Sequence, residues 1–376
     1  MTIDSRTLHD GTWVFDGHDV DLGGIEIEVE HPVLVTGANG YVASWIVAAL
    51  LHRGVQVHAA VRDPADRART AHLQRVADAS PGTLSLFQAD LLTPGSYAEA
   101  MRGCRVVFHT ASPFVRHVGD PQRDLVDPAL GGTRNVLRSV ADVASVTRVV
   151  VTSSIAAVFT DAVETERATG AGVGEDVWNE TASLGYEPYN YSKTVAEREA
   201  WRLAEGQDRW RLVVINPALV IGPALNARPT SESFTIMRQL GGGDLRFGAP
   251  RLALAVVDVR DIARAQIAAA YAPDAQGRHI VAAAETDLLR LSGLLRPRFG
   301  ATHPLPRWAL PKPLFWAMAP AVGVARRYAA GNVGHTIRLD TTKGRDALGM
   351  RYRSVGESLN DMFAQMAALG MVSAKR

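Results

Sequence analysis

The amino-acid sequence predicts an α/β protein built on a doubly wound parallel sheet. Apolar runs rich in valine recur at residues 31–37 (HPVLVTG), 55–61 (VQVHAAV), 83–89 (TLSLFQA), 105–111 (RVVFHTA), 148–154 (RVVVTSS) and 211–220 (RLVVINPALV). They are near-continuous rather than alternating, the pattern of strands covered on both faces. Segments of helical character separate them, such as SWIVAALLHRG after the first run and TVAEREAWRLAEG before the sixth. Beyond residue 217 the rhythm loosens into loop-rich stretches, and prolines crowd residues 297–320. This predicts a smaller C-terminal lobe over the sheet edge where ligands of such folds bind.

Composition limits the partners. A chain of 376 residues, 47% hydrophobic and 21% charged, has material for a large core, and its net charge of +1 gives no reason to expect nucleic acid or an acidic surface. The single cysteine, Cys104, rules out an internal disulfide or a CxxC motif, and the scattered histidines show no metal-ligand spacing, so no metal is expected. Residues 1–30 hold Asp4, Asp10, Asp16, Asp19 and Asp21 without an unbroken apolar segment, which fits neither a secretory signal nor a transit peptide. A cytoplasmic protein with a polar N-terminal extension is expected. The most apolar segment, residues 313–325, is too short to span a bilayer and is interrupted by Pro320, so a lid or core helix is expected there, with peripheral membrane contact the lesser alternative and no stable membrane insertion.

The first run leads into VTGANGYVASW, where Gly37, Gly40 and Ala43 follow at GxxGxxA spacing as a helix begins. Glycine allows a tight turn and a close approach of backbone N–H groups to a pyrophosphate, and a small residue at the third position allows helix and strand to pack closely. Tyr41 and Val42 complete this loop. The second strand ends in AAVRDP. An acid there favours the ribose hydroxyl of NAD, whereas Arg62, with Arg69 close behind, suits the 2′-phosphate of NADP. The third strand runs into Asp90 and Leu91 beside the adenine. The fourth ends at Thr110, Ala111 and Ser112, beside the ribose and phosphates.

In YNYSK, Tyr189 and Lys193 stand four residues apart on one face of a predicted helix. A phenol alone is a weak acid, and a neighbouring ammonium together with the charge of an oxidised nicotinamide favours the phenolate. Ser153 and Ser154 end the fifth strand at the same edge, where a hydroxyl can stabilise charge on a carbonyl oxygen, or else cap a helix.

With VTGANGYVAS, AAVRDP, VFHTASPF, GGTRNVLRS, VVVTSSIAAVF, YNYSKTVAEREAW, NPALVIGP and VVDVRDIARA in this order, the chain resembles the extended short-chain dehydrogenases/reductases. Within them it is most similar to the dihydroflavonol reductase and microbial aldehyde or carbonyl reductase group. The resemblance implies a Rossmann-type fold that binds NADP(H) in preference to NAD(H). It implies Ser154, Tyr189 and Lys193 as the catalytic triad, and Pro217 and Val220 against the nicotinamide. Departures narrow the substrate. The cinnamoyl-CoA reductase pattern NWYCYGK is EPYNYSK here, which gives no support to a CoA thioester. The asparagine with which plant dihydroflavonol reductases read ring hydroxyls is Phe159, an apolar wall that, with Phe114, suits a hydrophobic aldehyde or ketone.

The expected partner is therefore a small-molecule carbonyl or alcohol, and the expected assembly a monomer or homodimer. Residues 31–216 and 252–284 are expected to form the NADP-binding domain, and residues 217–251 and 285–376 the substrate-binding lobe. Two rival functions fit the same motifs: a 3β-hydroxysteroid-type dehydrogenase/isomerase, and a regulator that senses NADP(H) without turnover.

Overall fold

The computed structural model describes residues 12–113 and 118–374. Its strands are β1 Val33–Thr36, β2 Gln56–Val61, β3 Thr83–Gln88, β4 Val106–His109, β5 Arg148–Thr152, β6 Arg211–Pro217, β7 Leu219–Ile221, β8 Ala249–Pro250, β9 Ala253–Asp258, β10 Gly277–Val281, β11 Ala284–Asp287 and β12 Ala309–Leu310. The helices that matter most are α1 Tyr41–His52, α2 Arg67–Asp78, α3 Ala98–Met101, α4 Asp127–Asp142, α5 Ala162–Glu166, α6 Pro188–Glu205, α7 Glu232–Gly242, α8 Val259–Tyr271, α9 Leu288–Phe299, α10 Lys312–Met318 and α11 Arg326–Asn332.

Seven strands form one parallel sheet in the order β10-β6-β5-β4-β1-β2-β3. The near-continuous apolar runs are explained by burial on both faces. Val33 and Val35 pack into one core with α1 and α8, while Leu34 between them faces a second core with α3, α4 and α6. The strand order reverses between β1 and β4, so their C-terminal ends open the crevice in which doubly wound sheets bind ligands.

The run predicted as one strand over 211–220 is two. It breaks after Pro217, which has no N–H to extend a ladder, and β7 joins β9 and β11 in a separate three-stranded sheet. β9 therefore lies in that small sheet, while α8 and β10 stay with the large one.

The N-terminal segment is polar in composition but packed in fact over its described part. Trp13, Val20 and Leu22 are buried in the main core, and Phe15 meets Trp45 edge-on at 6.0 Å. Asp19 lies 3.8 Å from the buried Arg260 guanidinium, which also pairs with Asp258 and Asp361. The segment expected as a lid or core helix is short α10, none of whose residues is buried, followed by a 3-10 turn over Ala319–Val322. No helix among the described residues is long and apolar enough to cross a membrane.

Candidate active site

The loop between β1 and α1 has the bare backbone its glycines predict. Gly37 has φ 62°, and a Cβ there would stand 3.0 Å from Ala111 Cα at the end of β4. Gly40 has an ordinary φ of −74°, and its glycine is required for space, since a Cβ would lie 3.0 Å from the Gly37 carbonyl oxygen. No side chain caps α1, and its first turn has no acid, so its leading N–H groups remain available to an anion. This cradle fits a dinucleotide pyrophosphate. Val42 is half-buried in the first turn of that helix. The Tyr41 side chain turns away from the cradle: its hydroxyl donates to the Gly222 carbonyl at 2.6 Å, tying the loop to the start of the small lobe.

Arg62 follows β2, is exposed and makes no ion pair among the described residues. Arg69 is instead engaged by Asp66 at 3.3 Å. Asp90 and Leu91 form a turn fixed by Asn135 of α4, whose amide donates to the carbonyls of Asp90, Leu91 and Thr93. Asp90 Oδ1 accepts the Leu92 N–H at 2.8 Å. Thr110 Oγ1 donates to the Thr36 carbonyl at 2.5 Å, and the amides of Thr110 and Ala111 donate to Thr36 Oγ1. Because that oxygen already accepts two N–H groups, its own hydrogen turns to His109 Nδ1, 3.0 Å away. Burial first, and Lys193 second, push the His109 imidazole down to about 4.

Pro188 occupies the first turn of α6, where its missing N–H costs nothing, and Tyr189 follows it. Glu187 just outside has φ 50°, the one positive value of a non-glycine residue among those described. Tyr189 is 49% exposed. One turn on, Lys193 Nζ stands 5.7 Å from the Tyr189 ring centre and donates to Ser112 Oγ at 3.0 Å. The helix and the end of β4 thus meet at the sheet edge.

The two serines after β5 are separated by their bonds. Ser153 is buried and donates to Glu197 Oε2 at 2.5 Å. Ser154 is half-exposed, and its Oγ accepts the Ala156 N–H at 3.1 Å, so it caps the 3-10 turn Ile155–Ala157 and still has its hydroxyl hydrogen to give. Pro217 is buried at the end of β6, and Val220 is half-buried on β7. Phe159 packs in the main core at 7% exposure. Phe114 lies outside the described residues.

Sequence reasoning missed Thr36, His109, Asn135, Glu197 and Arg278, which hold the strand ends; His109 and Glu197 also line a small cavity with Leu91, Ala111, Ser112 and Lys193. Glu197 is buried and takes hydrogen bonds from Ser153, from Asn216 Nδ2 at 2.7 Å and from Arg278 Nε at 2.6 Å. Its place one turn after Lys193, as a carboxylate on the inward face of a helix, is the signal that could have found it.

A doubly wound sheet with this strand order and a bare loop at its switch point defines a Rossmann-like, dinucleotide-fold protein. Residues 33–283 match the model of the NAD dependent epimerase/dehydratase family, and the chain belongs to that family, among its extended short-chain dehydrogenases/reductases. It is 43% identical over 250 residues to cinnamoyl-CoA reductase CAD2 of Medicago truncatula, covering 66% of this chain and 74% of that one. It is 32% identical over 343 residues to tetraketide alpha-pyrone reductase 1 of Arabidopsis thaliana, covering 91% and 97%. The yeast methylglyoxal/isovaleraldehyde reductase Gre2 complexed with NADPH superposes with a TM-score of 0.72 at 26% identity, over 91% of this chain and all of that one, 100%. The chain is accordingly an oxidoreductase, a reductase of the extended short-chain family.

Proposed function

We propose that the protein is an NADPH-dependent reductase of hydrophobic aldehydes or ketones, acting in reverse as an alcohol dehydrogenase. The observation that carries the proposal is the convergence of Tyr189, Lys193 and Ser112 at the sheet edge beside the glycine cradle. Gly37, Gly40 and the first turn of α1 would hold the pyrophosphate, and Asp90, Leu91, Thr110, Ala111, Pro217 and Val220 would flank the rest of the dinucleotide. The unpaired Arg62 would meet the 2′-phosphate, with Arg69 a weaker second because Asp66 already engages it. When bound, NADPH supplies the hydride.

The chain's own residues supply orientation and the proton. Tyr189 donates the phenolic proton to the carbonyl oxygen, and the Lys193 ammonium stabilises the phenolate that remains. Ser154, with its hydroxyl hydrogen free, hydrogen bonds the same oxygen and holds the carbonyl for attack. In oxidation the phenolate takes the proton back.

Several relatives are named for a CoA thioester. The residues that precede Tyr189 here are Glu187 and Pro188, where the family's thioester pattern has Asn-Trp, so a free carbonyl is the better substrate class. The division of labour proposed is a cofactor domain of residues 31–216 and 252–284 and a substrate lobe of 217–251 and 285–376, in a cytoplasmic monomer or homodimer. The test is consumption of NADPH and of NADH against aromatic aldehydes, aliphatic ketones, diketones and β-keto esters. Cofactor binding without turnover on any of them would remove the proposal.

A further inference from the structure

The small lobe presents a face that is both apolar and basic. Phe247 and Trp308 are 83% and 72% exposed and lie together, because the Trp308 carbonyl accepts the Ala249 N–H at 3.1 Å where β12 pairs with β8. Helix α10 follows and buries nothing. Leu314, Met318 and Val322 stand exposed at four-residue spacing along it and the turn after it, with Trp316 beside them. Exposed apolar surface gathered in one place marks a contact surface.

Arginines accompany the exposed aromatics, in a stretch of sequence whose charge is one-sided. Between Leu288 and Leu339 the sequence has eight lysines and arginines and no aspartate or glutamate. Arg246 stacks 4.5 Å from the Phe247 ring centre, Arg326 stacks 4.7 Å from that of Trp316, and the exposed Arg307 adjoins Trp308. At the margin, Asp287 is already engaged by Arg251 and Arg290, which leaves Asp244 beside Phe247 as the nearby acid in sequence. Aromatic side chains carrying arginine over their faces, next to an aliphatic stripe, suit the headgroup layer of an anionic bilayer. There the rings bury among acyl carbons and the guanidinium groups meet phosphate.

We propose that the face formed by Phe247, Trp308 and residues 314–322 docks peripherally on membranes that contain anionic phospholipid. The contact is superficial, since no described helix can span. Docking here involves none of the residues assigned to cofactor or proton transfer, and it is read by vesicle binding rather than by turnover, so its failure is distinguishable from failure of the reductase reading.

The test is co-sedimentation of the full-length protein with vesicles of phosphatidylcholine alone and of phosphatidylcholine mixed with phosphatidylglycerol. Binding is expected on the anionic vesicles only, with release at high salt. An Arg307→Glu, Arg326→Glu double variant is expected to bind at least about tenfold more weakly, because each basic residue near such a surface contributes about fivefold. Trp308→Ser with Trp316→Ser is expected to abolish binding while leaving the thermal midpoint unchanged, as expected of exposed side chains. No binding to either vesicle, equal binding to both, or wild-type binding by the tryptophan variant overturns the proposal. So does a concentration-dependent dimer that the tryptophan variant dissolves, which would assign the face to a second copy of the chain.

Discussion

Arg278 places its Nε 2.6 Å from Glu197 Oε1, joining the last strand of the large sheet to the helix that carries Lys193. Its other nitrogens reach the carbonyls of Glu175, Val177 and Ala157, and the Trp178 ring lies 4.0 Å from its centre. Both side chains are buried. Removing one partner of a buried pair leaves a charge without compensation and costs about 3–5 kcal/mol. Arg278→Leu is therefore expected to lower unfolding free energy in urea by that amount. The double variant with Glu197→Gln should cost less than the two single losses added together. Additive losses would show that the pair acts as two separate anchors.

Arg62 should govern cofactor choice. A hydrogen bond to a charged group contributes about 1.5–3 kcal/mol, which is roughly tenfold to a hundredfold in kcat/KM. Arg62→Ser is expected to lose that factor with NADPH and to change little with NADH. Equal losses with both cofactors would mean that Arg62 shapes the loop after β2 rather than reading a phosphate.

The buried imidazoles should each weaken the fold as pH falls. Burial pushes His72, His109 and His279 down to about 4, whereas an unfolded histidine titrates near 6.5. The unfolded chain therefore binds more protons as pH falls, and the stability present above about 6.5 is lost towards about 4. Asp261, pushed up to about 7 by burial, acts in the opposite direction, as do Glu175, Glu187 and Asp361, which burial also raises, so the imidazole contribution is isolated by substitution. His109→Asn keeps an acceptor for the Thr36 hydroxyl and removes one proton, so it should flatten the pH dependence of the urea midpoint in this window. An unchanged slope would count against a neutral, buried His109.

The N-terminal segment should be needed for stability. Truncating a buried tryptophan costs about 3–5 kcal/mol. Trp13→Ala is expected to lose that much, and deletion of residues 1–30, which also removes Val20, Leu22 and the Asp19 partner of Arg260, at least as much. A deletion with an unchanged thermal midpoint would show the segment to be dispensable.

The frame of the molecule was legible in the sequence for a physical reason. Strands covered on both faces must be apolar throughout, and the helical spacing of Tyr189 and Lys193 forces them onto one face. What escaped is polar and long-range. Glu197 finds Arg278 across 81 residues and Thr36 finds His109 across 73, and nothing local marks either pair. The N-terminal aspartates hid Trp13 and Leu22, since Asp19 makes sense only once Arg260 stands opposite it. The break at Pro217 frees β7 to join β9 in the small sheet, a pairing that nothing in the residues of β9 marks.

Tyr189 is the proposed proton donor in an NADPH-dependent carbonyl reduction. The most direct measurement is turnover of NADPH with a responsive aldehyde or ketone by wild type and Tyr189→Phe, with NADPH binding followed in parallel by fluorescence. The variant is expected to keep wild-type affinity for NADPH and to show a kcat lowered by about 10²–10⁴-fold, the usual worth of a positioned general acid. A Tyr189→Phe protein that binds NADPH and turns over at the wild-type rate would contradict it.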